Sequence, residues 1–160
     1  MNPSIRTILA TAALVLAATS AQGQTRYTYT ASGGEVNDTK TGLTWRRCSE
    51  GQIWSGSTCT GTPANYTHEQ ALAQAKAQAG TAGWRLPNVK ELASIANKAF
   101  ARPAIDSTAF PGTPSEYYWS STPYPFNFGS LYFAYAVDFT DGAVSGFGRD
   151  NSLTLVRLVR

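Results

Sequence analysis

Gly83-Trp84-Arg85-Leu86-Pro87-Asn88-Val89-Lys90-Glu91-Leu92 is the stretch that decides the fold of this 160-residue chain. Asn88 followed three residues later by Glu91 forms a capping-box pattern that opens a helix. Pro87 pushes Leu86 out of the helical region, so Trp84-Arg85-Leu86 reads as a short extended segment feeding that helix. Trp84 and Leu86 need a core, whereas Arg85 between them needs a carboxylate or solvent.

On the C-terminal side, Val89, Leu92, Ala93, Ile95 and Ala96 fall on one helix face, with Lys98 expected in the last turn. On the N-terminal side, Thr67-His68-Glu69-Gln70 is a second capping box. The helix it opens runs to about Ala79, with an apolar stripe of Leu72, Ala75 and Ala79 and with His68 read as a surface residue. Before the helices, Val36 to Trp45 reads as strand, turn, strand. After them, prolines 103 to 125 mark an irregular stretch that holds one short buried strand, Tyr117 to Thr122, and then an aromatic loop, Tyr124 to Gly129. Leu131 to Phe139 and Val144 to Phe147 form a hairpin around Asp141-Gly142, a pair suited to a type I′ turn. Asn151 to Arg160 alternates as a terminal strand expected to pair with the N-terminal strand. The class is α+β, two helices packed on antiparallel strands with long loops.

Residues 1–21 have the pattern of a secretory signal: Arg6, an apolar run from Ile8 to Ala18, and small residues around Ala21. Residues 22–33 are a linker or an edge strand, and 34–160 make one domain. The apolar run falls short of the ~20 residues that span a bilayer. Without Arg6, twelve Lys and Arg face ten Asp and Glu. That balance is far from the basicity of a nucleic-acid binder. Cys48 and Cys59 would meet an oxidising compartment and are expected to form a disulfide.

One His and two bridged Cys leave little for nucleophilic catalysis, and no G-x-S-x-G, H-E-x-x-H or phosphate loop is present. No linear calcium loop is present either. The sequence therefore predicts a non-enzymatic protein with no cofactor and no metal. Two features point to binding. Arg46, Arg47, Arg85, Arg149, Arg157 and Arg160 come from separate parts of the chain, and the arginine fork suits sulfate or carboxylate. Tyr124, Phe126, Phe128 and Tyr132 offer either a stacking platform or a satellite core. Trp45, Trp84, Leu86, Pro87, Glu91 and Trp119 have packing or backbone explanations and are read as structural.

Several pieces then follow one another in a familiar order: Val36-x-Asp38-x-x-Thr41-Gly42-Leu43-Thr44-Trp45, Cys48…Gly51…Ser55-Gly56…Cys59-x-Gly61, the Ala-rich helix, Gly83 to Leu92, Phe110-Pro111, Tyr118-Trp119-Ser120-Ser121, and Val156-Arg157-Leu158-Val159-Arg160. This set resembles the C-terminal domain of the Legionella collagen-like adhesin, a family found in many exported bacterial proteins. The resemblance covers nearly all of 34–160. It implies a C-type-lectin-like fold and an adhesin-like role at a cell surface, with a sulfated or acidic polysaccharide as partner and a homo-oligomer, a trimer, left open. The alternative is a protein-interaction module of a surface or pilus-like assembly, with a surface protein as partner. Collagen-like repeats are absent here, as are the E-P-N, Q-P-D and W-N-D tripeptides of calcium-dependent lectins.

Overall fold

A computed structural model describes residues 25–160, apart from 81 and 130 and the side chains of 127 and 128. The expected signal segment lies outside the described residues. Among them, two helices and three antiparallel sheets make an α+β domain. The first sheet is β1 (Tyr27–Tyr29), β2 (Glu35–Asp38) and β3 (Leu43–Arg46), in that order, with β1 at its edge. The second is the small ribbon β4 (Ile53–Trp54) and β5 (Cys59–Thr60). Cys48–Cys59 is a disulfide with Cα atoms 5.4 Å apart, as expected. Helices α1 (His68–Ala79) and α2 (Val89–Ile95) lead into the third sheet, β6 (Tyr117–Phe128), β7 (Leu131–Asp138) and β8 (Ala143–Gly148).

Both capping boxes are formed, at Thr67–Gln70 and at Asn88–Glu91. The faces of the helices differ in part from the expected ones. The buried stripe of α1 is His68, Ala71 and Ala75, while Leu72 is exposed. Ala71 and Ala75 meet Trp84, Trp119 and Val156, and only small residues allow that approach. The histidine beneath them is buried and is not a surface group. α2 stops at Ile95 because Ala96 is extended and bridges to Ile105; Lys98 lies beyond the helix.

The aromatic segment expected as a loop is the second half of strand β6. Pro123 and Pro125 sit within that strand, at the edge of its sheet, where a missing N–H costs no central ladder bond. The pairing with β7 shifts register twice, between Trp119 and Pro123 and between Pro123 and Asn127. The Asp141-Gly142 hairpin forms, but with Asp138 opposite Ala143 across a longer turn. Only Gly142 has a positive φ there, so the turn is not type I′. The turn between β2 and β3 repeats the device: the Asp38 carbonyl accepts from the Gly42 N–H, as the Asp138 carbonyl accepts from Gly142.

Two core clusters fill the space between these layers. One gathers Trp45, Leu92, Ile95, Phe110, Tyr118 and Phe139; the other gathers Trp84, Leu86, Trp119, Ala134 and Leu158. The C-terminal segment passes between them. It runs antiparallel to β3, where Thr44 and Arg160 exchange backbone hydrogen bonds and the Arg46 N–H donates to the Leu158 carbonyl, and it bridges to Arg85 through Val159, to Tyr66 through Thr154 and to Tyr118 through Leu155. β1 pairs with β2.

Candidate functional site

The start of α1, the tip of the β6–β7 hairpin and the turn after β8 enclose an open groove of about 720 Å³ lined by Thr67, Glu69, Leu131, Tyr132, Arg149 and Asp150. Backbone bonds fix its walls. The His68 N–H donates to the Arg149 carbonyl and the Arg149 N–H donates to the Tyr132 carbonyl, both at 2.9 Å. Thr67, as cap of α1, and Glu69 in the first turn are placed by the capping box. Tyr132 is 60% exposed and Leu131 49%, so the groove has an open aromatic and aliphatic wall.

Arg149 is the groove's cation. Its Nε–H donates to Nδ1 of His68 at 3.0 Å. Among the described residues its two η nitrogens make neither a hydrogen bond nor an ion pair. The His68 ring is buried, with Nε2 3.0 Å from the Ser120 carbonyl and its plane edge-on to Trp119. Burial pulls the His68 pKa below its ordinary value. The Ser120 bond opposes this shift and the Arg149 charge adds to it. Glu69 and Asp150 give the groove carboxylates as well, which accept hydroxyl donors.

The other five candidate arginines are committed elsewhere. Arg47 is buried, donates to the carbonyls of Gly33, Thr108 and Ala109, and lies over the Tyr29 and Trp54 rings at 4.6 and 4.1 Å. Arg157 is fully buried; it donates to the carbonyls of Arg46 and Arg47 and to Thr113 Oγ1, beside Phe110 and Tyr118. Arg46 and Arg160 lie over the Trp84 ring at 5.0 and 4.7 Å, paired with Glu50 and Glu35. Arg85 is exposed but held by Glu91. The structure therefore does not bring the six arginines onto one face.

The aromatic candidates separate too. Tyr124 turns inward onto Tyr135 at 4.7 Å. A Cβ on Gly146 would lie 2.8 Å from the Tyr124 ring, so the glycine makes that packing possible. Phe126 is 55% exposed beside Phe133, and the side chain of Phe128 lies outside the described residues. Trp45, Trp84, Leu86, Pro87 and Trp119 are buried, and the Trp119 indole donates to the Tyr66 carbonyl at 2.8 Å. Sequence reasoning missed Thr67, Glu69, Leu131 and Asp150. The capping box carried a signal for the first two; nothing local marked Asp150 as a neighbour of α1. It also missed Arg26, whose fork grips the buried Asp38 carboxylate at 3.0 and 2.7 Å.

Among the described residues, no three His, Cys, Asp or Glu side chains gather as metal ligands. No helix among them is long and apolar enough to cross a membrane. Comparison with curated proteins and with solved structures finds no match. The family resemblance read from the motifs is borne out: the model of the Lcl C-terminal domain matches residues 34–160, and the chain belongs to that family.

Proposed function

We propose that this chain is an exported, non-enzymatic binding domain of adhesin type and C-type-lectin-like fold, and that its groove takes an acidic polysaccharide at a cell surface. The observation that carries this reading is the meeting of exposed Tyr132 with the uncommitted η nitrogens of Arg149 in one groove. A tyrosine ring offers an apolar face with a polar tip, which suits the C–H face of a sugar. The arginine fork suits a sugar carboxylate or sulfate. Glu69 and Asp150 stand ready for hydroxyl groups. The family membership and the signal pattern support the adhesin class and export.

The pairing of Arg46, Arg85 and Arg160 with glutamates favours one localised acidic contact over a broad basic patch. The reading is tested by retention of the oxidised chain on immobilised polyuronate, sulfated glycosaminoglycan and neutral glucan. Retention on the acidic polymers is expected, with the polymer chain length unchanged after incubation. Shortening of the polymer would instead assign Glu69 and Asp150 to acid and base work.

A second reading is a protein-interaction module. Phe126, Leu131 and Tyr132 are exposed together at the β6–β7 hairpin, and exposed apolar groups of this kind mark contact surfaces. Loss of an assembly partner on Phe126→Ser with glycan retention intact would favour it.

A further inference from the structure

We propose that His68 is the positioning residue of the groove: its neutral imidazole holds the Arg149 guanidinium against the groove wall, and protonation of the ring releases it, so that capture of an acidic ligand fails on acidification. The binding consequence rests on the groove being the ligand site; the movement of Arg149 does not.

The tautomer follows from the partners. The Ser120 carbonyl carries no proton, so Nε2 must donate to it across 3.0 Å. Nδ1 is then the lone-pair nitrogen, and it accepts the Arg149 Nε–H, also across 3.0 Å. A proton added to Nδ1 sets two N–H groups facing each other and places two cations in contact. The ring is only 2% exposed, so little water reaches the contact from its side.

β6 brings the Ser120 carbonyl and the uncharged Trp119 ring. The turn after β8 brings Arg149 itself, with Asp150 beside it in the groove. α1 brings Glu69, the next residue in the chain, which lines the groove. Among the described residues neither carboxylate bonds to the imidazole, whose two nitrogens are taken by Ser120 and Arg149. The Arg149 backbone stays pinned to His68 and Tyr132, which leaves its side chain as the part free to move.

His68 is the single histidine of the sequence, so its ring signals identify themselves in a nitrogen-15 NMR titration of the oxidised chain. As the pH falls from about 7.5 through the ring's titration, below the ordinary histidine range, the ring and the Arg149 Nε–H signal should change with one shared midpoint. In His68→Gln the amide supplies a donor for Ser120 and an acceptor for Arg149, so the Nε–H signal should persist throughout. An Nε–H signal indifferent to the ring's titration, or lost equally in His68→Gln, would overturn the proposal.

The binding arm uses immobilised polyuronate. Wild-type affinity should fall about tenfold on acidification, the loss of one charge-assisted contact, while His68→Gln stays level. A parallel fall in both proteins would overturn the coupling to binding. Absence of retention at pH 7.5 would sink the groove reading alone, because the NMR arm still decides whether His68 governs Arg149.

Discussion

Glu91 accepts both η nitrogens of Arg85 at 2.8 Å, and the same carboxylate accepts the Asn88 N–H at 2.8 Å. One side chain thus closes the cap of α2 and satisfies the arginine between two buried residues. Glu91→Ala should cost about 1–2 kcal/mol, mostly from the cap. Glu91→Gln should cost less, because an amide oxygen still caps. The Arg85 bond holds the Glu91 carboxyl below its ordinary range. Its stabilisation is therefore present above the ordinary carboxylate range and is lost as pH falls through the depressed value. Arg85 is half-exposed, so solvent screens much of the pair. Urea denaturation of both variants at about pH 7 and pH 3 checks the size and the sign.

The Cys48–Cys59 bridge closes an 11-residue separation beside the β4–β5 ribbon. Cys48→Ser with Cys59→Ser should lower stability by about 3 kcal/mol. Calorimetry of wild type with and without reductant should reproduce the difference.

Arg157 holds four acceptors in a fully buried site and pairs with no carboxylate among the described residues. Arg157→Ala strands those acceptors and should cost about 3 kcal/mol or more. Arg149→Ala, at a partly buried position whose η nitrogens hold no partner among the described residues, should cost under about 1 kcal/mol. Chemical denaturation of the two variants separates a structural arginine from one available to a ligand.

His68 is neutral in the fold, with its pKa depressed chiefly by burial. The unfolded chain takes up the proton first, so its stabilisation is complete above the ordinary histidine range and declines as pH falls through the lower folded value. The melting temperature of wild type should drop between about pH 7 and pH 5, and that of His68→Gln should drop less.

The helices and their caps were legible because a capping box is local chemistry: Thr67–Gln70 and Asn88–Glu91 each need only four consecutive residues. The hydrophobic pattern also marked Trp45, Trp84 and Trp119 as core. Burial of polar groups was not legible. His68 and Arg157 look like surface residues until distant carbonyls, Ser120 for one and Arg46 and Arg47 for the other, arrive through the fold. The second half of strand β6 hid for a related reason: Pro123 and Pro125 break a central strand but not an edge, and edge position is a property of the sheet. The groove joins α1 to residues over 60 positions away, Tyr132 and Arg149 among them, so nothing in either segment alone disclosed it.

The central claim is that Tyr132 and Arg149 together take an acidic polysaccharide. Its most direct measurement is the affinity of wild type, Tyr132→Ala, Arg149→Ala and Arg102→Ala for immobilised polyuronate, with and without EDTA and at two salt concentrations. The account predicts EDTA-insensitive binding weakened about tenfold or more by Arg149→Ala and several-fold by Tyr132→Ala, with Arg102→Ala, remote in the loop after α2, unchanged. Equal affinities for all four proteins would contradict it.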